Sequence, residues 1–323
     1  VLLRGIGLKR AVRSTIILGA GASRGASFAG PARQVLPPLD ADFFQQAQRL
    51  DEQAFKNHAS EVIDFVRNEY GASNLPTLET LFTELEGYNK FLQRLYGKPG
   101  RRPELYKKQL ARLLDLIPVV FREACGGQTC TWHDRIAYAL RREDAVISFN
   151  YDVLIDEALS RLAKGIWLAD RGYGFKIQNG AQRWSAESTP GATPTKNYLR
   201  LLKPHGSLHW ADIDTDKKRL RLDQDAYGSR GERNNIIPPT WDKAILGEWP
   251  WKPVWQSAST MLEATRCLIV IGYSVPQTDL TSQALIRSSL SGGRLRLLVV
   301  VNPDPRARGR VIDLARGAIN SPT

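Results

Sequence analysis

Thr15-Ile16-Ile17-Leu18-Gly19-Ala20-Gly21-Ala22-Ser23-Arg24-Gly25 decides how the rest of the chain is read. Four strand-forming residues run straight into a glycine turn, as where a parallel β-strand hands over to a helix. Glycine lets the backbone turn sharply and lie close to a ligand, and amide N–H groups in such a turn can cradle a pyrophosphate. A dinucleotide-binding fingerprint would read G-x-G-x-x-G, but Arg24 occupies the third glycine position and the next glycine is Gly25. An acidic residue does follow about twenty positions on, at Asp40, yet it comes after Pro37-Pro38 rather than at the end of a second strand. The stretch fits a nucleotide-binding turn or a plain tight βα turn, and both readings stand at this point.

Outward from it, further apolar runs lie at Ala145–Phe149, Leu199–Leu202, Ile236-Ile237, Cys267–Ile271 and Leu295–Val301. They lack polar alternation, which is how strands covered on both faces of a parallel sheet read. Between the first two runs the periodicity is helical: Phe43, Ala47, Leu50 and Ala54 share one face, Leu78, Leu81, Phe82 and Leu85 a second. Leu110, Leu113, Leu114, Ile117 and Phe121 form a third, which Pro118 is expected to kink or end. Thr77 reads as a helix cap. The expectation is one α/β domain over residues 1–323, a Rossmann-like, mostly parallel sheet flanked by helices, with a helical insertion at about 40–140. Gln178–Pro194 and the charge-dense Asp212–Glu232 read as exposed loops.

The 323 residues are 42% hydrophobic and 24% charged, ordinary globular values that argue against a disordered chain. No apolar run reaches the roughly 18 residues of a membrane span, and Val1–Leu8 is too short for a secretory h-region. A chain that opens on valine reads as a trimmed start or a fragment. Three cysteines, Cys125, Cys130 and Cys267, make neither a disulfide framework nor a four-cysteine zinc site. A cytoplasmic protein without a membrane partner is the expectation. The net charge of +12 arises from 45 basic against 33 acidic residues scattered along the chain. It is compatible with direct nucleic-acid binding but does not require it, and no recognition motif accompanies it.

Chemistry-bearing residues sit where the strand runs stop. Asn150 and Asp152 end the second, as helix caps or as groups for a polar ligand. Lys203-Pro204-His205-Gly206-Ser207-Leu208-His209 follows the third and holds two of the four histidines in the chain. No nearby carboxylate or cysteine completes a metal site there. Pro204 and Gly206 frame His205 in a turn, whereas His209 reads as structural. Gly272-Tyr273-Ser274, with Asp279 beyond, and Asn302-Pro303-Asp304 end the last two strands, where open α/β sheets bind ligands.

In this order the motifs resemble the sirtuin superfamily. Gly19–Ser23 is similar to its phosphate loop, Asn150-x-Asp152 to its Asn-x-Asp, and His205-Gly206 to its His-Gly. Gly272-Tyr273-Ser274 stands where the family has Gly-Thr-Ser, and Asn302 where an asparagine meets the adenosine ribose. The four zinc cysteines of the deacylases are missing, so no zinc-ribbon domain is expected, and their Phe-Gly-Glu segment has no match at Ile236-Ile237-Pro238-Pro239. Instead the helical insertion with Leu78-Glu79-Thr80-Leu81-Phe82, the segment Lys203-Pro204-His205-Gly206-Ser207 and Gly272-Tyr273-Ser274 look like the bacterial sirtuin-like NAD-hydrolysing effectors of antiphage defence, which arrest or kill an infected cell by emptying its NAD pool. The resemblance implies NAD as substrate and no metal. It implies His205 as base, a role suited to histidine's ordinary pKa of about 6.5. Asn150 would orient ribose and water, and Asp152 would hold the carboxamide. Gly19, Ala20, Gly21 and Ser23 would take the diphosphate, and Gly272, Ser274 and Asn302 the adenosine side; Arg24 could add a phosphate contact. A homo-oligomer, or a complex with a second defence subunit such as a motor ATPase or sensor, is expected. An NAD-dependent deacylase or ADP-ribosyltransferase and a noncatalytic nucleotide-binding subunit are the alternatives.

Overall fold

The computed structural model describes residues 13–319 apart from 72, 97–100, 164, 176, 178–197, 224, 226, 228–235, 238–247 and 277. Strand β1 (Ser14–Leu18) leads through Gly19 into the short helix α1 (Ala20–Arg24). A 3₁₀ turn (Asp40–Asp42) precedes α2 (Phe43–Ala47), and α3 (Glu52–Ala54) runs through a π-helical stretch (Phe55–Ala59) into α4 (Ser60–Tyr70). Next come α5 (Leu78–Tyr96), α6 (Arg101–Cys125) and α7 (Thr131–Ala139). The chain continues with β2 (Ala145–Ser148), α8 (Leu154–Leu162), α9 (Ala169–Gly172) and β3 (Arg200–Leu202). Strands β4 (Trp210–Asp214) and β5 (Arg219–Leu222) precede α10 (Trp251–Glu263) and β6 (Cys267–Ile271). Helix α11 (Leu280–Leu290), β7 (Leu297–Val301) and α12 (Pro305–Ile319) complete the order.

Five strands form one parallel sheet in the order β3-β2-β1-β6-β7. This is an α/β Rossmann-like arrangement. Every residue of β1 and β2 is buried, as unbroken apolar runs require. The chain moves outward from β1 through β2 to β3, then returns to the other side of β1 for β6 and β7. That reversal makes the carboxyl ends of β1 and β6 the topological switch point, where an open sheet leaves a crevice. Between β1 and β2 the described elements are helical, and they bury Leu78, Leu81, Phe82 and Leu85 of α5 and Leu113, Ile117 and Phe121 of α6. Thr77 caps α5 by accepting the Thr80 N–H at 3.1 Å.

Four local expectations change. Asp212–Glu232 is not a loop throughout: β4 and β5 pair antiparallel, Trp210 opposite Leu222, and both are buried. Charges in the connecting turn hide the alternation in the strands. Ile236-Ile237 is not a strand. Ile236 bridges Gly206, and the Ile237 N–H donates to the His205 carbonyl at 2.9 Å, so the pair braces the His205 turn instead of joining the sheet. Pro238-Pro239 directly after it supplies no N–H to extend a ladder. Phe43, Ala47, Leu50 and Ala54 do not share one helix, because the chain turns at 48–50 and restarts at Asp51, whose carboxylate accepts the Ala54 N–H at 2.8 Å. Helix α6 runs through Pro118 without ending, held by the buried Leu116, Ile117, Val120 and Phe121 around it. Gln178–Pro194 lies outside the described residues.

Beneath the sheet's carboxyl edge sits a charged brace. Lys203 is fully buried, and its ammonium donates to the Asp152 carbonyl at 2.6 Å, to Ser207 Oγ at 2.6 Å and to Asp156 Oδ2 at 3.0 Å. These use all three of its donors. Tyr173 donates to Asp156 Oδ1, and His209, fully buried as well, joins Tyr173 at 3.0 Å and Ser207 at 2.9 Å. The brace ties the Asn150–Asp152 strand end to the His205 turn.

Two stability measurements follow from this packing. Lys203→Met strands the Asp156 charge in the core, and urea unfolding should show a loss of about 3–5 kcal/mol; wild-type stability in this variant would contradict the brace. Gly272 and Gly293 both have positive φ, +63° and +64°, but a Cβ at Gly272 would lie 2.0 Å from the Ala22 nitrogen whereas nothing lies near one at Gly293. Gly293→Ala should cost about 1–2 kcal/mol for the left-handed backbone alone, and Gly272→Ala clearly more; equal losses would deny the close approach.

Candidate functional site

A cavity of about 660 Å³ opens over the carboxyl edge of the sheet. Every strand of the sheet delivers to it. Gly19, Ala20, Gly21 and Ser23 come from the end of β1, and Asn150 and Asp152 from the end of β2. His205 follows β3, Gly272 and Ser274 follow β6, and Asn302 follows β7. The ten residues singled out from the sequence therefore line one hollow, although they span most of the described chain.

The glycine turn is built for close backbone contact. A Cβ on Gly19 would stand 2.5 Å from the Tyr273 Cα, and one on Gly21 2.8 Å from the Gly272 Cα. The Gly19 N–H donates to the Ile271 carbonyl, the Gly21 N–H to Gly272 and the Ala22 N–H back to Gly19, at 2.8–3.0 Å. These amides lock the β1 turn to the β6 turn. The glycines serve first to let two backbones touch, which is the plain βα-turn reading made concrete, at the rim of a cavity.

Asn150 is held from one side. Its amide nitrogen donates to the Gly19 carbonyl and to Ser23 Oγ, both at 2.9 Å. Because the Gly19 carbonyl can only accept, the orientation of the amide is fixed. The Ser23 hydroxyl in turn donates to Asp152 Oδ2 at 2.6 Å. Asn150 Oδ1 is buried and has no hydrogen-bond partner among the described residues. An unsatisfied buried acceptor costs about 1–3 kcal/mol, so a donor brought by a ligand would relieve it. Asp152 does act as a cap, accepting the Leu154 N–H on Oδ1 at 3.1 Å. Each of its oxygens keeps a second lone pair.

His205 is 14% exposed at its side chain, and its Nε2 lies 3.7 Å from Asp279 Oδ2 and 3.5 Å from Ser282 Oγ. Asp279 also caps α11 by accepting the Ser282 N–H and receives the Tyr273 hydroxyl at 3.1 Å. The His205 ring lies 5.0 Å from that of Phe149, which stacks on Tyr273 at 4.7 Å. Burial, with the Asp279 charge beside it, raises the Tyr273 hydroxyl well above its ordinary pKa, so it stays a donor. Val275, in the same loop, has φ +50°. A β-branched residue seldom enters that region, which costs of order 1–3 kcal/mol.

The wall opposite comes from the first part of the helical region. Leu39, Asp40, Leu78 and Glu79 line the cavity. Burial raises the Asp40 carboxyl above its usual range against the hydrogen bond from the Glu79 N–H, and Glu79 accepts from Thr278. Sequence spacing alone assigned Glu79 no role at the cavity and gave no sign of the Phe149–Tyr273 stack. Asp279 left one legible trace, an aspartate one residue ahead of a helix. Arg24 is committed to Asp42 and to the Pro37 carbonyl. Ser274 receives Arg310 on its carbonyl, and Asn302 Oδ1 caps Asp304 at 3.0 Å. Asp40, Glu79, Asp152, Asp279 and Asp304 outnumber Arg24 and His205 around the cavity, so the excess basic charge of the chain is not gathered here.

Among the described residues no group of His, Cys, Asp and Glu side chains could hold a metal ion, and no helix is long and apolar enough to cross a membrane. No curated protein matches the chain. A family model described as the SIR2-like domain matches residues 144–313, from the turn before β2 into α12. That match takes in the strand ends that carry Asn150, Asp152, His205, Gly272, Ser274 and Asn302, and on it the chain belongs to the SIR2-like domain family.

Proposed function

We propose that this protein hydrolyses NAD+ at the nicotinamide–ribose bond, giving nicotinamide and ADP-ribose. SIR2-like domains use NAD as substrate. The observation that carries the finer reading is the buried Oδ1 of Asn150, without a hydrogen-bond partner among the described residues, on a residue that lines the same cavity as His205. A ribose hydroxyl or a water molecule is the donor that this oxygen lacks.

An ordinary glycosidase needs one carboxyl group to protonate its leaving oxygen and another to act at the anomeric carbon. NAD+ relaxes the first requirement. When the C1′–N bond breaks, its electron pair neutralises the cationic ring, and nicotinamide departs without a proton. Water then forms the new C1′–O bond and gives up one proton, which we assign to His205. Asp279 is the positioning residue that orients the imidazole, 3.7 Å away. Asn150 orients ribose and water, and Asp152 offers its remaining lone pairs to the carboxamide. The carboxylates around the cavity suit a positively charged ring and the cationic centre that develops at C1′. Gly19, Ala20, Gly21 and Ser23 are assigned to the diphosphate, and Gly272, Ser274 and Asn302 to the adenosine half. The extension to NAD depletion in antiphage defence, alongside a second subunit, is supported by the likeness of the motif set to such effectors.

Nicotinamide release from NAD+ by the purified chain, with and without candidate partner proteins, tests the reading. Asn150→Ala and His205→Ala should each lower turnover by about 10²-fold or more, and Asp279→Asn should lower it less. Unchanged turnover in both alanine variants would refute the assignment. Release that depends strictly on an acyl-lysine peptide would move the reading to deacylation, and tight NAD binding with no product in any combination would move it to a noncatalytic subunit.

A further inference from the structure

The chain carries 45 basic residues against 33 acidic ones, yet carboxylates outnumber cations around the cavity. Part of the surplus gathers at the opposite, amino edge of the same sheet. Arg13, Arg266 and Arg296 immediately precede β1, β6 and β7, three neighbouring strands. The Arg266 N–H donates to the Arg13 carbonyl at 3.1 Å, and the Arg296 N–H to the Arg266 carbonyl at 2.8 Å. Three arginines are thus joined backbone to backbone across the start of the sheet. Arg266 and Arg296 are exposed, and among the described residues neither is paired with a carboxylate. Like charges set side by side on adjacent strands repel, a cost that an anion laid along the row removes. Asp144 does not offset it, being buried and accepting the Ser14 and Arg141 N–H groups, both at 2.9 Å. Glu143 and Glu263 are the exposed acids that adjoin the row in sequence.

Helix α7 leads to the same edge. Two residues after its end comes the exposed Arg141, which the bond to Asp144 holds beside the start of β1. Along α7, Trp132 is 49% and Tyr138 70% exposed, and the guanidinium of Arg135, midway between them, lies over the Trp132 ring at 4.8 Å. The two aromatic residues stand about 9 Å apart along the helix axis. Steps of three residues keep them and Arg135 on one side of the helix. Asp134, the one acid in α7, is paired with Arg161. Two large exposed rings with a cation between them therefore run toward the arginine row.

We propose that the amino edge and α7 together bind single-stranded nucleic acid without regard to its sequence. Arginine offers a planar fork that meets phosphate through two parallel hydrogen bonds. Adjacent strands set the roots of such forks about 5 Å apart, a row along which a phosphodiester backbone can lie. The aromatic rings supply the second element: unpaired bases of any identity stack on exposed tryptophan and tyrosine, and arginine adds a cation–π contact. A duplex keeps its bases stacked on one another and offers this helix only phosphate. An acidic polypeptide would neutralise the arginines but brings no flat π-face to Trp132 and Tyr138. The surface lies across the sheet from the cavity, so the proposal stands independently of what the cavity binds.

Fluorescence anisotropy tests it, with the full chain titrated into a labelled, mixed-sequence single strand of about 20 nucleotides. Affinity should fall with salt along a log–log slope of about −0.7 for each phosphate engaged. Arg266→Gln combined with Arg296→Gln should weaken binding about ten-fold or more and flatten that slope by about 1.4. Trp132→Ala should also weaken binding about ten-fold while leaving the slope as it was, and Tyr138→Ala should do the same. All four side chains are exposed, so circular dichroism should match the wild type. Should a variant fail to fold, ultraviolet crosslinking of the wild type to the same strand decides the matter, with Trp132 or Tyr138 in the labelled peptide. Absence of binding at low salt would overturn the proposal, as would binding indifferent to the four substitutions or a crosslink confined to another part of the chain. A duplex of the same length bound as tightly as the single strand would overturn it too, as would displacement of the strand by poly-glutamate at equal charge.

Discussion

A single ammonium group, buried without contact to water, decides whether the candidate site has a shape. Lys203 spends its three donors on the carbonyl of Asp152, the carboxylate of Asp156 and the hydroxyl of Ser207. One partner belongs to the segment that carries Asn150, another to the turn that carries His205. A charge taken out of water tolerates little variation in the distance to its partners, so the two segments hold one spacing. A neutral side chain of similar length could fill the volume but would not enforce that geometry.

A second layer of constraint comes from contacts between bare backbones. Gly19, Gly21 and Gly272 let the turns after β1 and β6 touch at distances that any side chain would forbid. The Asn150 side chain then reaches across from β2 to the Gly19 carbonyl. Three neighbouring strands are thus joined at their carboxyl ends by groups that form no part of the ladder. The Asn150 oxygen, without a hydrogen-bond partner among the described residues, is a product of the scaffold, because both amide protons are consumed by the β1 turn.

Much of this was legible in the residues and some was not, for physical reasons. Strands buried on both faces announce themselves as unbroken apolar runs, so β1, β2, β3, β6 and β7 were readable. The β4–β5 hairpin was not, because the charged turn between its strands dominates the composition of that stretch. Leu50 and Ala54 looked continuous with α2 because periodicity ignores a local carboxylate, and the Asp51 cap restarts the helix. At the site, polar residues at strand ends were visible because a ligand crevice requires them. The partner of His205 was not, since nothing in the spacing of Asp279 tells whether it caps a helix, orients a ring or does both. Glu79 stood in a legible segment, Leu78–Phe82, but its place at the site was not legible, since it reaches the cavity from an insertion that pattern reading treats as an appendage.

That last placement alters what the insertion is. Glu79 opens α5, receives Thr278 from the loop after β6, and leans its amide on Asp40. The helix then runs for nineteen residues to a far end where Tyr88, Phe91 and Leu95 face solvent, roughly 28 Å at the usual rise. Trimming it to reach a minimal catalytic unit would take away a side of the vessel, and what remained would be an open shelf along the sheet.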